Sequence, residues 1–150
     1  MGFEPDPESV VDQHGSWALA VNRNQNLLGK SILVLDRPRT AVTDLTSGEW
    51  AELHTGISRT TTALATLYEP DQFNYAFLMN VDAQVHLHII PRYQTPRTWH
   101  GLEFHDPNWG RAFGHEIQFL EPDQIRTMAD EIRVAFQQTG PAGETTPRQR

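Results

Sequence analysis

Residues 84–92, Gln-Val-His-Leu-His-Ile-Ile-Pro-Arg, constrain the fold of this chain more than any other segment. Polar and apolar residues alternate through the first six positions. A period of two is the signature of a strand with one buried face. Gln84, His86 and His88 share one side, and Val85, Leu87 and Ile89 share the other. Two imidazoles two residues apart on a rigid strand are placed to act on a single ligand. Pro91 and Arg92 are expected to end the strand, because proline lacks the donor that a sheet interior needs.

A His-x-His pair of this kind admits three readings. It can be the wet face of an ordinary half-exposed strand. It can contribute two imidazoles to a zinc site, although zinc usually takes three or four protein ligands and this chain has no cysteine. Further ligands would then come from His100, His105, His115 or a carboxylate. The third reading is a resemblance to a known family, given below, whose chemistry is one that histidine can perform as a nucleophile. A neutral ring nitrogen attacks phosphorus well, and the N-phosphoryl bond it forms is labile. The attacking nitrogen must be unprotonated, so the other should donate to a backbone carbonyl or similar acceptor.

At 150 residues the chain suits one domain. The absence of cysteine excludes disulfides and thiol catalysis and suits a reducing compartment. The first residues are acidic and carry no apolar signal-like run, and no stretch reaches the length of a membrane span. The expected protein is therefore cytoplasmic and does not bind membranes. A formal charge of −7 argues against general nucleic-acid binding, yet a local cationic cleft can still hold a small polyanion. Lys30 is the single lysine among 12 basic residues. Arginine's planar fork suits phosphate, although genome composition accounts equally well for the excess.

The expected organisation is a mobile leader over 1–13, one domain over 14–140 and a flexible tail over 141–150. Within the domain, 17–21 and 30–36 read as strands joined by a turn. Thr46 and Glu49 form a capping box at the start of a helix reaching about residue 68, with Trp50, Leu53, Ile57, Leu64 and Leu67 on its apolar stripe. Residues 73–80 read as a strand joined by a tight turn at Asp82-Ala83 to the histidine strand, an antiparallel hairpin. Residues 94–115 show no clear period and suggest a functional loop. A second helix opens at Glu121-Pro122 and stops at Gly140. The sum is an α+β fold with a mainly antiparallel sheet, one long helix and a C-terminal helix.

The histidine strand resembles the motif of the histidine triad (HIT) nucleotide hydrolases and transferases, His-φ-His-φ-His-φ-φ with φ apolar. Gln84 stands where the first histidine would be. Val21-Asn22-Arg23, Gly29 with the apolar run 32–35, Asp44-Leu45-Thr46 and Asn74-Tyr75 through Asn80 extend the resemblance over roughly residues 15–95. It implies a HIT-like fold, a homodimer with joined sheets, and a nucleotide substrate. It implies no required cofactor and no resident metal, although a divalent cation can accompany a polyphosphate. His86 would attack the α-phosphate to form a nucleotidyl-histidine, and His88 would support the site. Asn22, or else Asn24, would meet the nucleoside. Asn80 would face the phosphates. The turn from Asn80 to Gln84 is shorter than in many members of the family, and Arg92, Arg97 or the 94–115 segment would supply the phosphate contacts it lacks. Glutamine cannot carry a proton in acid catalysis. Gln84 therefore favours a phosphate leaving group, as in a diadenosine polyphosphate, over an amine. The alternatives are a nucleotide-binding regulatory protein with little turnover and a zinc-binding module.

Overall fold

The apolar residues at 85, 87 and 89 are buried in the core that two helices complete. In the computed structural model, which describes residues 5–140, five strands form one sheet in the order β1-β2-β3-β5-β4. They are β1 (Val10–His14), β2 (Trp17–Val21), β3 (Ser31–Leu35), β4 (Gln72–Ala76) and β5 (His86–Arg92), and every neighbouring pair is antiparallel. Helices α1 (Ser47–Tyr68) and α2 (Pro122–Gln137) pack on each other and on one face of the sheet. Leu19, Leu33, Leu87 and Ile89 meet Leu53, Leu64, Met128 and Phe136 in one core. This is the expected α+β architecture. No helix among the described residues is long and apolar enough to cross a membrane.

The capping box at α1 forms as read. Thr46 Oγ1 accepts from the Glu49 N–H at 3.1 Å, and the Thr46 N–H donates to Glu49 Oε2 at 2.8 Å. The buried stripe differs, however. Gly56, Thr60 and Ala63 join Leu53 and Leu64 inside, while Trp50 and Leu67 lie exposed. A Cβ at Gly56 would sit 3.4 Å from Leu33, so the helix approaches the sheet too closely there for large side chains.

Three segments depart from expectation. Residues 5–13 are not a mobile leader, because β1 extends the sheet from within that range and buries Val11. A shift of register between Val10 and Asp12 breaks the alternation that would have marked the strand. Arg133 of α2 covers the strand by donating to the Val10 and Val11 carbonyls, each at 2.7 Å. Residues 1–4 and the proposed tail 141–150 lie outside the described residues.

β4 stops at Ala76 rather than Asn80, and Met79 takes a positive φ of 45°. The connection to β5 is a loop rather than a tight turn. Residues 94–115 contain a small hairpin of β6 (Arg97–Trp99) and β7 (Leu102–Phe104). Its turn places His100 and Gly101 at φ 45° and 79°, a conformation that a two-residue hairpin needs and glycine supplies cheaply. β5 continues through Pro91, which pairs only with Phe73 of β4. The pairing of β5 with β3 ends at Ile89, so beyond it proline costs no ladder bond on that side.

Candidate active site

The sheet face away from the helices carries the histidines. Ala20, Ile32 and Val34 form a small buried cluster separate from the main core. His88 lies opposite Ile32 and His86 opposite Val34, and directly opposed residues of an antiparallel pair share a face. The two rings sit 4.9 Å apart, edge to face at 70°. His86 is buried and His88 half-buried.

His86 Nδ1 lies 2.7 Å from the Gln84 carbonyl oxygen. A carbonyl only accepts, so Nδ1 carries the proton and the ring's lone pair resides on Nε2. This is the tautomer that nucleophilic attack requires. Burial lowers the pKa of His88 to about 4, with His86 and Lys30 adding to the effect. His88 is therefore neutral at physiological pH and adds no positive charge beside His86.

The Gln84 side chain, which could have positioned a phosphate, is bound instead to the chain beside it. Its Nε2 donates to the carbonyls of Leu35 and Arg37 at 2.7 and 2.8 Å, and its Oε1 accepts from the Arg39 N–H at 3.2 Å. Both amide protons are committed to the chain leaving β3. The residue positions rather than reacts: its side chain locks the backbone whose carbonyl orients His86. Gln84→Glu places a carboxylate against two carbonyl oxygens and should cost on the order of 3 kcal/mol. Urea unfolding reads this directly, and unchanged stability would show that the amide does not hold those carbonyls.

Asn22 follows β2 on the histidine face, two residues beyond Ala20, and its N–H bonds the Lys30 carbonyl at 3.0 Å. With Ile32 and Ser9 it lines a cavity of about 250 Å³. Asn22 Oδ1 is buried and has no hydrogen-bond partner among the described residues. Such an acceptor is costly unless something donates to it. Asn24 is instead occupied with structure. Its amide donates to the Glu116 carbonyl and accepts from the N–H groups of Asn26 and Gln118, pinning the segment before α2. Asn80 is exposed on the loop before β5.

Arg92 is committed to the fold. All five of its donors are used within the fold: Nε and Nη2 on Asp106 at 2.8 and 3.2 Å, Nη1 on Asn74 and the Arg111 carbonyl, and Nη2 on the Asn108 carbonyl. The pair is almost wholly buried. Sequence pattern cannot reveal this, because the partners lie 14 or more residues away. Lys30 is the site residue that the pattern passes over. It lies two positions before Ile32, hence on the histidine face, and lines a second cavity with His88 and His115. Among the described residues no three His, Asp or Glu side chains are grouped to hold a metal ion.

No protein-family model and no curated protein matches the chain. Solved structures do. A histidine triad protein from Bradyrhizobium japonicum is 25% identical, with a TM-score of 0.65 over 85% of this chain and 89% of that one. A histidine triad protein from Sinorhizobium meliloti is 24% identical, with a TM-score of 0.65 over 84% and 87%. A diadenosine triphosphate hydrolase from Plasmodium falciparum is 17% identical, with a TM-score of 0.69 over 91% and 81%. The mainly antiparallel sheet with its two helices thus matches these structures in shape: the chain has the histidine triad fold.

Proposed function

We propose that this protein is a nucleotide hydrolase or nucleotidyltransferase acting at the α-phosphate of a dinucleoside polyphosphate or related conjugate. The observation that carries the reading is the 2.7 Å bond from His86 Nδ1 to the Gln84 carbonyl, which leaves the lone pair on Nε2. Nε2 attacks the α-phosphorus, forming a P–N bond while the P–O bond to the rest of the phosphate chain breaks. The leaving phosphate departs with the electron pair. Water then displaces His86 from phosphorus and restores the ring. A phosphate leaving group is weakly basic and needs little protonation, which suits a site whose Gln84 amide is immobilised and holds no transferable proton.

The cavity beside Asn22 suits the nucleoside: Ile32 and Val21 offer apolar surface, and Asn22 Oδ1 is a buried acceptor for a sugar hydroxyl. A bound mononucleotide should shift the amide resonances near residue 22 and over 84–92 together. Shifts confined to α2 would refute this placement. The locked Gln84 also fits a regulatory protein that binds nucleotide and turns over little; a burst of product without steady turnover would identify it. The outer edge of β4, with Tyr75 exposed on it and Leu78 exposed just beyond it, is where a second copy would pair to join two sheets.

A further inference from the structure

We propose that the cavity between Lys30, His88 and His115 is an anion subsite that takes a phosphate group of the substrate, with Lys30 as its specificity-determining residue. The inference rests on the nucleotide reading above and adds where the charged part of the substrate goes. The cavity measures about 180 Å³ and is walled by Leu78, Ile90 and Phe113 as well as the three basic residues. It shares His88 with the reacting face. Lys30 is also the backbone partner of Asn22, so the lysine stands between the nucleoside cavity and the histidines.

The chemistry of Lys30 is that of a cation kept for a ligand. A protein of net charge −7 places its single lysine inward, among apolar walls. Its Nζ donates to Asn26 Oδ1 at 2.6 Å, a neutral acceptor, and among the described residues no carboxylate pairs with it directly. Two of its three protons thus remain for an anion. Burial brings its pKa down to about 8, opposed by the more distant Glu116. The group is still charged at neutral pH, and in a partly dry cavity its attraction for phosphate exceeds that of a surface lysine. Burying an ammonium opposes folding, so stability alone does not account for this residue.

The groups facing Lys30 are His88, with His86 beside it, on β5, and His115 and Glu116 on the segment before α2. As pH rises through about 8, Lys30 loses its proton and the subsite loses its cation. The test uses inorganic pyrophosphate and adenosine as separate calorimetric probes of the full chain at pH 7 and pH 9. Wild type should bind pyrophosphate more weakly at pH 9, by up to about tenfold. Lys30→Met should weaken pyrophosphate at least tenfold at pH 7, leave adenosine binding unchanged and not lower Tm. Lys30→Arg, charged at both pH values, should retain binding at pH 9. The proposal is overturned if wild type does not bind pyrophosphate, if Lys30→Met binds it normally, or if both probes weaken equally. If Lys30→Met does not fold, Lys30→Arg decides: binding kept at pH 9 supports the subsite, and binding lost there overturns it. None of these measurements needs turnover. A protein that binds pyrophosphate through Lys30 yet hydrolyses no nucleotide would sink the catalytic reading and leave the subsite standing.

Discussion

His86→Ala should lower kcat on a diadenosine polyphosphate by on the order of 10⁴–10⁶-fold, the scale on which enzymes lose rate when a nucleophile is removed. Neither neighbour can replace it. His88 sits 4.9 Å away on the same face, but its own position is set by Ile32 and Ala76 rather than by the Gln84 carbonyl. Gln84 is bound to the chain leaving β3. The cost to the fold is much smaller. The side chain is buried, so truncation removes the bond to the Gln84 carbonyl and opens a small space, at a cost of about 1–3 kcal/mol. Unaltered circular dichroism alongside the loss of rate would assign the effect to chemistry. Retention of most of the rate would mean that His86 is not the attacking group.

Arg92→Met should destabilise the protein by about 3–5 kcal/mol, because it leaves Asp106 as an unpaired charge whose side chain is 1% exposed. Burial works against the Asp106 carboxylate, but Arg92 and the N–H groups of Tyr93 and Asn108 hold its pKa below the ordinary value. A folded pKa below the unfolded one means stability that is complete above the usual carboxylate range and lost as pH falls through the folded value. The mutant should therefore lose most at neutral pH and differ least from wild type in acid. Adding Asp106→Leu should recover part of the loss, since an apolar pair can replace a buried ion pair. Urea unfolding at two pH values measures both effects. A loss below about 1 kcal/mol, the size of a surface pair, would contradict the burial described.

The strand pattern and the capping box were legible because both are local. Alternation places Val85, Leu87 and Ile89 in the core and the histidines opposite, and Thr46 and Glu49 meet across a single helical turn. β1 escaped because a register shift interrupts its alternation and prolines precede it. The hairpin at residues 97–104 escaped for lack of length, although His100-Gly101 between Trp99 and Leu102 was an available turn signal. Roles were harder to read than elements. Glutamine at 84 and arginine at 92 have the chemistry to touch phosphate, and both are spent on backbone groups or a carboxylate brought near by the fold. A sequence shows which donors exist. Only the packed chain shows which are already used.

The stereochemistry at phosphorus tests the covalent histidine most directly. Each in-line displacement inverts the phosphorus, so attack by His86 followed by attack by water gives two inversions. A substrate of defined configuration at an α-phosphorothioate, hydrolysed in isotopically labelled water, should yield product with net retention. Net inversion would mean that water attacks directly, and the nucleotidyl-His86 intermediate would then be excluded.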